Sequence, residues 1–305
     1  MRQFLLRRFL AAAVSFIAAT AIVFSVSRMQ GDPRLLFLSE HTTQENWDAW
    51  GRKFGLDKPL VVQYFVWLGR AVRGDLGDSI NESRPTVNLI SERLRPTAEL
   101  ALTGWFLSVI IGVPLGVLSA VKRATVWDYF ARGLALIGQA MPPFWLGITL
   151  ILLFSVQFNV LPAGTRDSFK NLVLPAFTLA LLNLASNLRL TRSAMLEVLD
   201  SEYIKFARSK GVAGRAVIWK HAFRNAAIAP LTNAGLLLAA FLAGTVVTET
   251  VFAWPGLGRL AVNAVLTNDF PVITGVTLVF TLVYVVANLL VDISYALIDP
   301  RIRLR

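Results

Sequence analysis

The chain has no cysteine. Disulfides, thiolate metal sites, iron–sulfur clusters and cysteine nucleophiles are therefore excluded. Histidine is almost as scarce. Only His41 and His221 are present, so no His-x-x-x-His metal pair exists. None of the seven lysines follows a glycine, which rules out the Gly-Lys-Ser/Thr end of a phosphate-binding loop. No Gly-x-Ser-x-Gly nucleophile elbow appears either. The chain is thus neither its own P-loop ATPase nor a recognisable hydrolase. Charge is the last shortage. Charged residues make up 16% of the 305 positions, against about 25% in an ordinary soluble domain.

What is abundant is apolar sequence, at 55%. A hydrocarbon core about 30 Å thick needs roughly 20 apolar residues in a helix. Six uncharged runs approach or exceed that size: 9–27, 100–121, 133–165, 171–188, 225–248 and 270–291. The third is longer than one span needs, so it is expected to end near Gln157 and leave Leu161-Pro162-Ala163-Gly164 as a turn. Arg2, Arg7 and Arg8 before the first run, and Ser25-Val26-Ser27 at its end, also suit a secretory signal. Its apolar stretch exceeds the usual ~7–15 residues of a signal core, so the run reads as a span. A helix satisfies its own backbone in lipid, so six runs imply six helices.

The net charge of +11 would suggest nucleic acid in a soluble protein. Here its distribution decides. With the N-terminus inside, the segments 1–8, 122–132, 189–224 and 299–305 carry seventeen Lys and Arg, whereas the short outside segments 158–170 and 249–269 carry three. The long outside segment 28–99 balances ten basic against ten acidic residues, and long loops translocate largely regardless of charge. The excess is therefore a topology signal, N-in and C-in, with no nucleic-acid partner.

Three segments lie outside the runs. In 28–99, Tyr64, Phe65, Trp67 and Leu68 suggest an amphipathic helix ended by Gly74-Asp75-Leu76-Gly77. This is read as a helical cap on the outer face, either passive or a docking surface. In 189–224, Leu196, Leu199, Tyr203 and Phe206 are spaced for one helical face, and Gly211 and Gly214 then break the helix. Ile218, Trp219, Ala222 and Phe223 begin a second face. The hairpin either rests on headgroups or inserts into a cytosolic subunit. In 249–271, Glu249 and Trp254-Pro255-Gly256-Leu257-Gly258 precede Asp269-Phe270-Pro271. These form an external turn or a re-entrant dip at a pore mouth, since irregular backbone at membrane depth needs a protein or water-lined niche. Within the runs, Gly112-x-x-x-Gly116 is a close-packing face. Pro114, Pro142-Pro143 and Pro175 should bend their helices. Asp292, near the inner end of the sixth span, is the one clear intramembrane acid and reads as an interfacial carboxylate.

The 189–224 segment carries a recognisable pattern: Arg192-Ser193-Ala194-Met195-Leu196-Glu197-Val198-Leu199, Glu202-Tyr203-Ile204-Lys205-Phe206-Ala207-Arg208-Ser209-Lys210-Gly211-Val212 and His221-Ala222-Phe223-Arg224-Asn225-Ala226. It resembles the coupling loop of bacterial ABC importer permeases, in particular the first-subunit branch of the dipeptide/oligopeptide/nickel permease family. Gly31-Asp32-Pro33, Gly55-Leu56-Asp57-Lys58-Pro59, Gly74-Asp75-Leu76-Gly77, Leu161-Pro162-Ala163-Gly164, Glu249-Thr250-Val251-Phe252 and Asp299-Pro300-Arg301-Ile302-Arg303 extend the resemblance over nearly the whole chain. It departs from importers at large, because Lys205 and Phe206 stand where that pattern has an acid and an alanine, and Arg224 where it has a late proline.

The resemblance implies an all-α integral membrane protein with six transmembrane helices, the type I importer permease fold and a helical external cap. Its implied parts are 1–27 (tail and first span), 28–97 (cap), 98–298 (five-helix core with the coupling loop 189–224) and 299–305 (cytoplasmic tail). It implies a bacterial inner-membrane complex with a second related permease, two cytosolic ABC ATPases and an external substrate-binding protein. ATP and magnesium would sit on the ATPases, with no cofactor, metal or catalytic residue on this chain. Coupling would fall to 202–212: Tyr203, Phe206 and Ala207 for apolar contact, Glu202, Lys205, Arg208 and Lys210 for polar orientation, and Gly211 for the turn. Glu249, Trp254, Pro255, Gly256 and Gly258 would lie at the outer mouth. The implied cargo is a di- or oligopeptide, with nickel or its chelates, opines or glutathione as alternatives. An ion-coupled carrier would need paired intramembrane acids, and a single acid disfavours it.

Overall fold

The structure, a computed structural model, describes residues 2–29, 43–54 and 57–298. The motifs Gly31-Asp32-Pro33, Gly55-Leu56 and Asp299–Arg303 lie outside the described residues, as does the side chain of Asp292. Among the described residues every regular element is helical: α1 (Arg2–Met29), α2 (Gln44–Phe54), α3 (Leu60–Ala71), α4 (Thr86–Val121), α5 (Val126–Ala140), α6 (Pro143–Leu150), α7 (Phe169–Leu199), α8 (Glu202–Ser209), α9 (Ile228–Val251), α10 (Leu257–Leu266) and α11 (Phe270–Ile298). Two π-type stretches, Ile151–Gln157 and Val217–Phe223, extend α6 and precede α9.

Among the described residues, four helices can by length and composition cross a membrane: Leu6–Val26 of α1, all of α4 and α7, and Phe270–Leu290 of α11. The expected third span is not one helix. Val126–Ala140 and Pro143–Gln157 meet at 108° and give a fifth crossing only if the bent pair counts as one. The cause is local. A residue before proline is pushed out of the α region, so Met141 (ψ 123°) and Pro142 (ψ 136°) are both extended. Pro143 then opens α6 at a position where its missing N–H costs nothing. Pro114 and Pro175, by contrast, sit within unbroken helices. The fifth expected run falls on α9, a helix of 24 residues, part of whose side chains lie outside the described ones.

The chain forms two compact units, Met1–Thr97 with Pro255–Arg305, and Ala98–Trp254. In the second unit, α7 is the central post. Lipid tails are as apolar as leucine, so helices in a bilayer associate through close packing of small residues. The Gly112/Gly116 face does this against α7: a Cβ at Gly112 would stand 2.8 Å from the Leu184 carbonyl oxygen, and one at Gly116 would stand 2.6 Å from that of Leu188. On α5, a Cβ at Gly138 would stand 3.0 Å from the Leu181 carbonyl oxygen, and Ala131 and Ala135 pack with Leu184, Ala185 and Leu188. Polar groups between these helices are paired. Asn187 accepts from Asn233 at 3.1 Å, and Trp105 Nε1 donates to the Ala234 carbonyl at 2.7 Å.

In the first unit, α11 packs on α1 and α10. Leu89, Ile90, Leu257, Ala264, Val272 and Val276 form its core. The Gly74-Asp75-Leu76-Gly77 motif turns as expected, with both glycines at positive φ (82° and 79°) and the Gly77 N–H donating to Asp75. The Arg70 side chain donates to Asp75 and, with the Gly77 N–H, holds that carboxyl below its ordinary pKa. Asp269 is buried and caps α11, accepting from Ser79 Oγ at 2.5 Å and the Asn81 N–H at 3.2 Å.

The glycine face yields a prediction. Gly116→Ala forces α4 away from α7 and should destabilise the protein by about 1–3 kcal/mol. Gly133→Ala, where an added Cβ meets nothing within 4 Å, should be neutral or mildly stabilising. Thermal unfolding of both variants in detergent checks this, and equal melting of the two would contradict it.

Candidate functional site

The expected continuous stripe through Leu196, Leu199, Tyr203 and Phe206 is interrupted. Helix α7 ends at Leu199, Asp200 closes it, and Ser201 is extended (ψ 152°) before α8 begins. The break rotates the second half of the stripe. Ile204 becomes the buried residue of α8, at 0% exposure, while Tyr203 and Phe206 are 44% and 60% exposed. Ile204 sits among Val117 and Ala120 of α4, Met195 of α7, and Val217, Ala222 and Ala226. The short helix is thus plugged into the ends of two long ones by a single aliphatic side chain.

Its exposed side presents the expected residues. Glu202 and Lys205 form a 2.7 Å ion pair that is largely solvated. Lys210 Nζ lies 4.4 Å from the Phe206 ring centroid, a cation–π distance. Asn225 Nδ2 donates to Tyr203 Oη at 2.9 Å and to the His221 carbonyl at 3.1 Å, which ties the tyrosine to the returning strand of the elbow. Ala207 is half-buried and Arg208 exposed. The helix closes with paired bonds, the Val212 N–H to the Ala207 carbonyl (3.2 Å) and the Gly211 N–H to the Arg208 carbonyl (3.0 Å). This is the Schellman arrangement, which needs a left-handed residue. Gly211 supplies it at φ 76°. A Cβ there would meet nothing within 4 Å, so Gly211 is needed for its backbone angle and not for space. Gly214 does not break a helix but begins the next turn. In the following segment Val217 and Ala222 are buried and Trp219 is exposed, edge-on to Phe223 at 5.3 Å. The second face is therefore only partly as expected, because Val217–Phe223 is π-wound and shifts the 3.6-residue register.

Beside the elbow lies a feature that sequence reasoning missed. Asp128, 1% exposed, receives Arg192 through both carboxylate oxygens: Nε to Oδ1 at 2.8 Å and Nη2 to Oδ2 at 3.1 Å. Ser119 Oγ (2.6 Å) and the Ala124 N–H (3.1 Å) complete its shell. One carboxylate thereby ties α4, the 122–125 turn, α5 and α7 together, two helical turns before the elbow. Asp128 in the first turn of α5 was visible as a favourable acid at a helix start. Its partner, 64 positions away, was not.

At the far end of the second unit, two quoted motifs meet. The Thr165 N–H donates to the Phe252 carbonyl at 3.1 Å, and a Cβ on Gly164 would overlap that oxygen. Asn171 holds the turn by donating to the Gly164 carbonyl and to Thr165 Oγ1. Arg166 pairs with Glu99 and lies 6.0 Å from the Trp254 ring centroid. Trp254 is itself buried among Leu100, Ala101, Leu172, Ala176, Leu179 and Phe241. Glu249 is also fully buried, and its carbonyl accepts the Trp254 N–H at 2.8 Å. Pro255, Gly256 and Gly258 lead into α10, with Gly256 and Gly258 buried and the Leu257 N–H donating to Thr97 Oγ1 at 2.8 Å. Trp254 is thus a buried residue of the second unit, while in the first Gly256 and Gly258 are buried and Pro255 is half-buried. Among the described residues no group of three or more His, Asp or Glu is placed to hold a metal ion.

Comparison with known proteins gives full-length matches. Residues 112–304 match the model of a family described as "binding-protein-dependent transport system inner membrane component", and 1–101 match its N-terminal counterpart. The chain is 38% identical over 314 residues to the oligopeptide transport system permease protein AppB of Bacillus subtilis, covering 99% of each chain. It is 37% identical over 336 residues to the dipeptide transport system permease protein DppB of Escherichia coli, again covering 99% of each. Among solved structures, an amino acid ABC transporter aligns at TM-score 0.54 and 16% identity, over 68% of this chain and 92% of that one. The MetNI methionine ABC transporter aligns at 0.53 and 18%, over 67% and 94%. At those identities the structural matches speak for the fold alone.

The buried carboxylate generates a prediction. Removing one partner of a buried pair leaves the other charge uncompensated, at roughly 3 kcal/mol or more. Asp128→Asn should lower the unfolding midpoint in detergent markedly. Arg192→Lys, which keeps the charge but not the two-pronged geometry, should lower it less. Wild-type melting of Asp128→Asn would show that the pair contributes nothing.

Proposed function

The chain belongs to the family of binding-protein-dependent transport system inner membrane components, and from that membership we propose that it is the transmembrane permease subunit of an ATP-driven importer of di- or oligopeptides. The observation that carries the reading is end-to-end identity, near 38%, with permeases named for dipeptide and oligopeptide transport. It is a multi-pass membrane protein and a transport component, not an enzyme; ATP is hydrolysed on separate subunits. We assign it a bacterial inner membrane, both termini in the cytoplasm, on the distribution of Lys and Arg. In this reading α5 with α6 and α9 each cross once, completing six spans. The complex would hold a second, related permease, two ATPases below and a binding protein outside.

The elbow gives the mechanism a physical form. Tyr203 and Phe206 offer exposed aromatic surface on a short polar helix, suited to a cleft in an ATPase subunit. When nucleotide binding closes the two ATPases, α8 moves as a rigid piece. Ile204 passes that displacement to the ends of α4 and α7, because a packed core shifts between discrete arrangements and does not deform continuously. Asp128 and Arg192 keep those ends in register with α5. The buried Trp254 turn holds the opposite end of the same unit.

Gly211 tests the coupling assignment. A β-branched residue at φ 76° costs about 1–2 kcal/mol and opens the closing turn, whereas asparagine tolerates the angle. In proteoliposomes containing the whole complex, Gly211→Val should cut peptide uptake several-fold, with ATP turnover no longer rising with substrate-loaded binding protein. Gly211→Asn should retain most of both. Wild-type uptake by Gly211→Val would remove α8 from the coupling path.

A further inference from the structure

Helix α3, read from sequence as part of a cap above the membrane, is held by α1 at a depth that a cap would not reach. Tyr64 is buried, and its hydroxyl lies 2.8 Å from Thr20 Oγ1, to which it can donate, with the Ile17 carbonyl 3.2 Å away as an alternative acceptor. Thr20 also donates to its own helix at Phe16, 2.8 Å away. Above this pair, Phe24 meets Tyr64 edge-on at 5.7 Å and Trp67 at 5.4 Å, with the Arg28 guanidinium 5.0 Å from the Phe24 ring centroid.

Helix α1 serves as a depth ruler. Its apolar span is Leu6–Val26, so its midpoint is Phe16. At 1.5 Å per residue, the Ile17 carbonyl lies about 2 Å from the bilayer centre and Thr20 about 6 Å, within a half-thickness of about 15 Å. The Tyr64 hydroxyl is therefore near the midplane, and its backbone can be no more than one tyrosine side chain above it. A hydroxyl pair closed on itself in this way is the kind of bond two helices share in lipid.

The rest of α3 agrees. Leu60 to Gly69 contains no charge, and the flanking Lys58 and Arg70 have stems long enough to carry their charges toward the headgroups. Next to Tyr64, whose ring Phe65 meets edge-on at 5.3 Å, the helix is apolar and exposed: Val61 at 65% and Phe65 at 60%. It continues the exposed apolar surface of α1, where Val14, Ile17, Ile22 and Val26 also have no cover. We propose that α3 is sunk into the acyl region of one leaflet, and that the occupant of its Val61–Phe65 face is lipid. The inference rests on α1 crossing the bilayer and is independent of what the complex carries.

The cysteine-free chain makes the test direct. Single-cysteine variants Val61→Cys, Phe65→Cys and Glu82→Cys, the last in the exposed turn after α3, are spin-labelled and reconstituted with the partner subunits in phosphatidylcholine–phosphatidylglycerol vesicles. Collisions with oxygen, which concentrates in acyl chains, are compared with those of a water-soluble nickel chelate. The expected result is oxygen dominance at positions 61 and 65 and chelate dominance at 82. Two results overturn the proposal: chelate dominance at 61 and 65, which places α3 in water, or protection of both positions from both agents, which places protein on that face. Peptide uptake is not the readout, so failure here leaves the transport assignment standing.

Discussion

The second unit depends on how closely α4 and α5 approach α7. In water, burying large side chains would drive these helices together. In lipid that drive is missing, and association rests on van der Waals fit and on polar groups that find partners. The glycines at 112, 116 and 138 set the helix axes so near that a single methyl would meet a backbone carbonyl. Everything else in the unit is arranged at that spacing. At that spacing the Asn233 amide reaches Asn187 Oδ1, Trp105 Nε1 reaches the Ala234 carbonyl, and the Arg192 guanidinium reaches Asp128.

The two ends of this post are built differently. At the elbow, contact between the short helix and the long ones is aliphatic and small, centred on Ile204, with the aromatic residues left outward. At the opposite end, a large aromatic is fully inserted and the surrounding loops are pinned by backbone hydrogen bonds. A transport subunit needs one end that responds to a partner and one that keeps its shape. The difference in how each end is anchored fits that division.

Much of the architecture could be read in advance, because its causes are local. Uncharged runs mark most of the long helices, the Gly112/Gly116 spacing marks a packing face, and the Gly74–Gly77 and Leu161–Gly164 motifs mark turns. Gly211 was legible as a turn, though its role proved to be an angle and not room. What escaped has non-local or conditional causes. The two-residue break at Asp200-Ser201 reassigned burial from Tyr203 and Phe206 to Ile204, and periodicity cannot foresee a reset of its own phase. The π-wound segment after Gly214 shifted the register again. The Asp128–Arg192 pair joins residues on separate helices, each of which alone looks like an ordinary loop-edge charge. Run-counting placed α3 outside the bilayer because ten uncharged residues are too few to span it. Only the bond from Tyr64 to Thr20, four residues past the middle of the apolar span of α1, argues otherwise.

The corner between α5 and α6 has one more property. Pro142 and Pro143 follow one another at the 108° bend, and neither carries an amide hydrogen. The two prolines therefore leave no amide hydrogen to be satisfied at the corner, and the Met141 N–H just before them donates to the Ile137 carbonyl at 3.1 Å. An ordinary helix would have to sacrifice part of its ladder to fold through the same arc, in surroundings where no water waits to replace it. The tandem imino acids, each with its φ fixed at about −65°, hold this corner in shape without stripping a donor of their own bare.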